Sequence, residues 1–189
     1  MSLRRAAMRR EKREREKALK SRSPSGELAR AKEQGRIDGR VLAAFTSAIY
    51  LHKDFGWGKD RILEMIEKGN KEAARFDNEG VWFAFNFYAD KIAEKLNQQK
   101  IGAKTVKTVA EKIYYDSRND FFISGLATII SVLSSDYNFG WNTKGTGRLD
   151  RLTKSAVEEY VNVLEEKTSI EAYQDRILEE IGINFYKEG

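Results

Sequence analysis

The sequence has few residues whose chemistry could support catalysis. His52 is its only histidine and it contains no cysteine, so a two-histidine metal motif, a thiolate nucleophile and a cysteine-based zinc site are all excluded. A serine–histidine triad would need His52, and no G-x-S-x-G motif accompanies it. We expect His52 to cap the helix that it ends, or to fill a half-buried position beside it.

Other residues match parts of catalytic motifs without the context that those motifs need. Asp54, Phe55 and Gly56 spell the magnesium-binding triplet of protein kinases, but the His-Arg-Asp loop and the glycine-rich loop are missing. Neither a Walker loop nor a dinucleotide fingerprint occurs. The carboxylate pairs are adjacent residues, which diverge on a helix. We therefore predict a protein that is not an enzyme, with no catalytic residue, no metal site and no cofactor.

Positive charge is concentrated at the N-terminus. Residues 1–22 hold ten basic and three acidic residues, a balance of +7, and the whole chain carries +5, so the remainder carries −2. Basic segments of this kind bind phosphate groups through charge and do not read bases. We predict that this N-terminal arm binds nucleic acid through Arg4, Arg5, Arg9, Arg10, Lys12, Arg13, Arg15, Lys17, Lys20 and Arg22.

The arm consists of strong helix formers, yet no apolar residue lies between Arg9 and Lys17. A helix that is polar all round has no face to bury, so we expect it to project into solvent or to lie on a charged partner. The same absence of an apolar face argues against a membrane-surface helix. The alternative is a solvated, partly ion-paired arm that only keeps the protein soluble.

A Phe-Gly-Trp sequence followed by basic residues occurs twice, with the two phenylalanines 84 positions apart. We interpret each copy as a corner at which glycine ends a helix and the aromatic residues pack over the bend. Basic residues at the start of the next helix are unfavourable, because the N-terminus of a helix is itself partly positive. We therefore expect them to bind an acidic partner or to form ion pairs with Asp54, Asp60 and Asp150. The candidate partner-binding or structural residues are Phe55, Gly56, Trp57, Lys59 and Arg61, then Phe139, Gly140, Trp141, Arg148 and Arg151.

Apolar periodicity predicts an all-α multi-helix bundle without a convincing strand. Residues 81–87 alternate like a strand, but their continuation favours a helix. We predict helices near residues 27–55, 59–76, 104–115, 121–134 and 148–164, with Gly35 and Gly39 weakening the first. A last helix opens with a capping box at Thr168 and Glu171 and ends at Gly182. Breaks are expected at residues 21–26 and 77–80.

The recurring corner predicts an internal duplication. We expect a basic arm over residues 1–25, a first helical half over 26–100 and a second over 101–189. No apolar run approaches the roughly 18 residues of a membrane span and no apolar signal core is present. We therefore expect a cytoplasmic protein without a membrane partner.

Residues 51–80, which follow the basic segment, resemble a group of small bacteriophage and prophage proteins of Gram-positive bacteria. Members share a basic start and a helix followed by Phe-Gly-aromatic-Gly-Lys, and the likeness covers about residues 5–80. The second half departs from it by inserting Asn-Thr-Lys-Gly-Thr into its corner. The resemblance implies a phage accessory protein in the host cytoplasm that acts on transcription, replication, recombination or defence.

The sequence leaves two functions open. The first is binding of nucleic acid or a nucleoprotein complex through the arm. The alternative is a module that binds a host or defence protein, or a second copy of the chain, through aromatic helical surfaces. A helix-turn-helix around residues 55–59 is less convincing, because the helix that would read the bases is long and acidic.

Overall fold

The structure is a computed structural model that describes residues 24–79, 83–99, 106, 108–135, 138–141 and 147–184, with the backbone alone for 24, 75–79 and 83–84. All ten predicted nucleic-acid-binding residues of the arm lie outside this part of the chain. The described residues form helices α1 (Pro24–Phe55), α2 (Lys59–Glu79), α3 (Phe83–Gln98), α4 (Val109–Ser134), α5 (Arg148–Leu164) and α6 (Ile170–Ile181). They contain no strand, which confirms the all-α prediction.

Helices α1 and α4 form the centre of the fold and run side by side in the same direction. Their backbones touch at two glycines of α1. A Cβ atom built on Gly35 would lie 2.3 Å from the carbonyl oxygen of Tyr114, and one built on Gly39 would lie 2.4 Å from that of Arg118. The two glycines were predicted to weaken α1, but the close approach of the helices requires them.

The contacts between α1 and α4 follow one sequence offset. Cβ atoms built on Gly35 and Gly125 would meet the Cβ atoms of Ser117 and Ala43 at 3.0 Å, and each of these pairs is 82 positions apart (117 − 35). Any two parallel helices in contact give a constant offset of this kind. The two corner phenylalanines are 84 positions apart, so the offset of 82 does not test the internal duplication. The internal duplication itself stays a prediction.

Helix α4 corrects one expectation. Two helices were predicted, with a break across residues 116–120, but the structure has one helix of 26 residues. Two polar residues of the expected break are buried by the fold, although the Nε and Nη2 atoms of Arg118 have no hydrogen-bond partner among the described residues. Ser117 is buried and its hydroxyl donates to the carbonyl of Lys32 at 2.8 Å. Arg118 is also buried and lies among tyrosine rings. A capping box between Thr108 and Glu111 begins the helix.

Several predicted boundaries also shift. Helix α1 begins at Pro24, inside the expected break, because proline suits a first helical turn. Helix α2 continues into the predicted turn as far as Glu79. Helix α3 shows that residues 83–87 are helical, and residues 81 and 82 of the ambiguous stretch lie outside the described residues. Ser169, not Thr168, caps α6, since its hydroxyl accepts from the backbone N–H of Ala172 at 3.2 Å. Gly182 ends α6 as predicted, with φ +79°.

The hydrophobic core extends from the α1–α4 pair to the surrounding helices. Phe45 and Leu51 of α1 are fully buried, as is Phe122 of α4. The Phe122 ring stacks on Tyr160 of α5 with centroids 3.9 Å apart. Among the described helices, none is long and apolar enough to cross a membrane.

Three tyrosines surround the buried guanidinium of Arg118. Its Cζ lies 5.2 Å from the ring centroid of Tyr114, 4.9 Å from that of Tyr115 and 5.8 Å from that of Tyr160. The Tyr114 hydroxyl donates to an Asp38 carboxylate oxygen at 2.6 Å. Burial raises the pKa of Tyr114 and of Tyr160 to about 12, and Arg118 opposes this rise in both.

We expect stability to fall as the pH rises from about 10 to 12. A tyrosine of the unfolded chain loses its proton near pH 10, whereas Tyr114 and Tyr160 keep theirs in the fold, so the unfolded state binds fewer protons in this window. Urea unfolding at a series of alkaline pH values measures the decline, and absorbance of tyrosinate follows the ionisation. Tyr160→Phe should flatten the decline. Titration of every tyrosine of the folded protein near pH 10 would contradict the prediction.

Candidate functional site

The two Phe-Gly-Trp corners pack against each other. The ring of Phe55 lies 4.7 Å from that of Trp141, and Trp57 lies 5.1 Å from Phe139 between centroids. The two tryptophan rings also contact each other, with their centroids 5.6 Å apart. Each phenylalanine thus packs on the tryptophan of the other corner. Both corners were predicted from the sequence, but their contact with each other was not.

Glycine makes both corners possible. Gly56 and Gly140 have φ values of +63° and +60°, in the left-handed region that side chains with a Cβ disfavour. At the first corner the N–H groups of Gly56 and Trp57 donate to the carbonyls of His52 and Leu51, at 2.9 and 3.3 Å. At the second, Trp141 donates to Leu133 at 2.7 Å. The first corner closes the end of α1 as predicted. The second differs from the prediction, because α4 ends at Ser134 and the N–H of Ser135 donates to the carbonyl of Ser131 at 3.1 Å, so Gly140 lies beyond the helix and does not end it.

His52 stabilises the first corner. Its Nδ1 lies 2.9 Å from the carbonyl oxygen of Trp57, and its side chain is half-buried. Because a carbonyl oxygen only accepts, Nδ1 carries the proton and donates. The expectation that His52 caps its helix end or fills a half-buried position is therefore confirmed.

Two exposed arginines cover the paired corners. The Cζ of Arg61 lies 4.3 Å from the centroid of Trp57 and 6.0 Å from that of Phe139. The Cζ of Arg148 lies 5.6 Å from Phe55 and 5.8 Å from Trp141. Each guanidinium therefore contacts one aromatic ring of each corner, within the range of a cation–π interaction.

This arrangement replaces the expected surface ion pairs. Within the described part of the chain, neither Arg61 nor Arg148 forms an ion pair with Asp54, Asp60 or Asp150. A guanidinium that lies on an aromatic ring retains N–H donors along its edge. Those donors suit the bidentate recognition of carboxylate or phosphate oxygens.

The remaining predicted residues flank the paired corners. Arg151 lies close enough to the Tyr50 hydroxyl to lower its pKa, and the Tyr50 ring lies 5.7 Å from that of Phe55. Burial raises the pKa of this hydroxyl, and the negative charge of Asp54 adds to the rise. Lys59 is exposed at the first position of α2.

Sequence reasoning missed two sets of cations near the corners. The Nζ of Lys68 lies 4.7 Å from the ring centroid of Phe139, and its position two helical turns after Arg61 could have indicated a shared face. Lys91 and Lys95 of α3 line a cleft together with Arg148. No local signal predicts this second contact, because α3 and α5 meet only in the fold.

The described residues contain no group of three or more histidine, cysteine, aspartate or glutamate side chains placed to hold a metal ion. The paired corners instead combine buried aromatic rings with cations at the surface. This combination suits the binding of an anionic partner.

No family model matches the chain, and neither a curated protein nor a solved structure matches it significantly.

Proposed function

We propose that the protein is a non-catalytic accessory protein that binds nucleic acid or a nucleoprotein complex through its cationic N-terminal arm. The observation that carries this proposal is the segregation of charge, with a balance of +7 over residues 1–22 and −2 over the rest. A segment so basic, with no apolar residue in its centre, has little reason to pack on its own fold. Phosphate groups are the partners that such a segment favours.

The cations of the paired corners support the proposal. Arg61 and Arg148 are positioned over aromatic rings, so less side-chain freedom is lost when they bind a phosphate. The arm precedes Pro24 at the start of α1 and the first corner follows Phe55 at its end. The 32 residues of α1 span about 48 Å. A polyanion of about 14 base pairs, at 3.4 Å each, covers that distance.

The biological setting that we propose follows from the resemblance to phage proteins of Gram-positive bacteria. The protein would act in the cytoplasm of a bacterial host, on a nucleic-acid complex of that host or of the phage. We also propose, from the sequence, that the protein acts by binding and does not catalyse a reaction.

The test is a salt series of fluorescence anisotropy with a labelled 20-base-pair duplex. In the variant that replaces all ten arm cations by glutamine, we expect at least tenfold weaker binding and a shallower salt slope, since each neutralised phosphate contributes about 0.9 to that slope. Lys71→Gln/Lys154→Gln is the matched control, because both lysines are ion-paired on the helix surface. The proposal would be refuted if the affinity did not change with salt concentration, or if the variant without arm charges bound as tightly as the wild type.

The alternative, a protein-binding module, has one specific observation in its favour. Phe87 of α3 is 48% exposed. The corner aromatics do not add to it, because Trp57 and Trp141 are only 3% and 6% exposed. Copurification from host cells separates the two functions: a protein partner stays bound after nuclease treatment, whereas a partner held through nucleic acid is released.

A further inference from the structure

We propose that the cleft between α3 and α5 is a second nucleic-acid site, specific for single strands. In it Lys91, Lys95 and Arg148 bind a backbone phosphate and Phe87 stacks on a base. This inference rests on the proposed function and deepens it, because it assigns a site in the folded part of the chain and a class of nucleic acid. The arm alone supplies neither.

The geometry of the cleft sets the size of its ligand. It has a volume of about 160 Å³, with Ile130 and Leu149 among its buried lining residues. Lys91 and Lys95 of α3 and Arg148 of α5 line it. A cleft of this volume accommodates a phosphate group and an adjoining sugar or part of a base, but not a duplex.

The charge of the cleft favours an anion. Among the described residues, three cations line it and Asp150 is the single lining carboxylate. Within the described residues, Lys91, Lys95 and Arg148 take part in no ion pair. Many other surface cations of this chain are paired with a glutamate three or four positions away, as Lys68, Lys71 and Arg176 are. The cleft cations thus remain available for an external anion.

An aromatic residue stands beside these cations. Phe87 lines the cleft and is one of only five large apolar side chains exposed in the described residues. The Nζ of Lys91 lies 4.4 Å from its ring centroid, and the Tyr88 ring contacts it at 5.5 Å in an edge-on arrangement. An exposed ring next to backbone-binding cations is the combination that single-strand-binding proteins use.

Single strands are favoured over duplexes for a simple reason. In a duplex the faces of the bases stack on one another and cannot reach Phe87, whereas an unpaired base offers its face. The cleft also adjoins the paired corners, because Arg148 belongs to both. A single strand bound in the cleft would therefore continue along the cationic surface of the corners.

The experiment compares three labelled probes by anisotropy: a 15-nucleotide deoxythymidine strand, an abasic strand of the same length and a 20-base-pair duplex. For Phe87→Ala we expect at least fivefold weaker binding of the thymidine strand, with the abasic strand and the duplex within twofold of wild type. For Lys91→Gln/Lys95→Gln we expect weaker binding of both single strands and a salt slope that falls by about 0.7, since the contact with the one phosphate in the cleft is lost. Leu178→Ala, an exposed apolar residue of α6, is the control.

The outcomes separate this inference from the proposed function. If both cleft variants bind the thymidine strand as wild type does, while the arm-neutralised variant binds weakly, the cleft is not a site and the proposed function stands. If the cleft variants weaken binding and the arm-neutralised variant does not, the cleft is the site and the arm is not. If the wild-type protein binds none of the probes, both proposals are overturned.

Discussion

Trp57→Ala is expected to lower the free energy of unfolding by about 3–5 kcal/mol, the usual cost of truncating a buried aromatic residue. Trp57 is 3% exposed and its ring contacts Phe139, Trp141 and the guanidinium of Arg61. Its loss would leave a cavity between the two corners. Because a domain of this size has a stability of only about 5–15 kcal/mol, the variant loses a large share of it.

Urea unfolding followed by circular dichroism measures this effect. The control is Phe87→Ala, which truncates an exposed aromatic residue and should change stability by less than about 0.5 kcal/mol. Trp57→Phe keeps a ring in the corner and should lose less than alanine does. A double-mutant cycle with Trp141→Ala should give a coupling of about 0.5–1.5 kcal/mol. Equal losses in Trp57→Ala and Phe87→Ala would contradict the packing of the corners.

Gly39→Ala is expected to lower the free energy of unfolding by about 1–3 kcal/mol, although alanine is the better helix former. The added Cβ would lie 2.4 Å from the carbonyl oxygen of Arg118 and 2.8 Å from the backbone nitrogen of Phe122. Both atoms belong to the backbone of α4, so no side-chain rotation relieves the contact. Helices α1 and α4 would have to move apart and loosen the core between them.

The matched control is Gly69→Ala in α2. The nearest atom that its Cβ would meet is the Cγ2 of Thr128, at 4.0 Å, which is an ordinary contact. Without a clash, the change should stabilise the protein by about 0.5–1 kcal/mol through helix propensity. The same substitution therefore has opposite signs at the two positions. Chemical denaturation of both variants checks this. If Gly39→Ala does not lower the stability, helices α1 and α4 are not in backbone contact.

Both predictions concern the packing that positions the surface cations proposed to bind nucleic acid. Arg61 and Arg148 lie over rings from both corners, so a displaced corner would release two guanidinium groups together. Weak nucleic-acid binding by a destabilised corner variant would then reflect lost positioning. The variants at Phe87, Lys91 and Lys95 avoid this difficulty, because these exposed or half-buried residues lie outside the buried core.

Local signals in the sequence predicted most of the helices and some of their ends. Apolar periodicity predicted α5 with the boundaries that it has, and glycines predicted the ends of α1 and α6. These signals work because a helix and its cap depend on residues within a few positions of each other. The charge of the arm is likewise a property of composition alone.

The tertiary structure decided which of these elements meet. Gly35 and Gly39 suggested a weak helix from local propensity, yet they let α1 touch α4. The polar residues Ser117 and Arg118 suggested a break, yet partners in α1 and α5 keep α4 continuous. Packing over such sequence distances depends on the shape and direction of whole helices. For that reason, the sequence alone determined most of the helices, the corner motifs and the charged arm. Only the fold made α4 continuous, placed the two corners together beneath Arg61 and Arg148 and brought Lys91 and Lys95 beside Arg148.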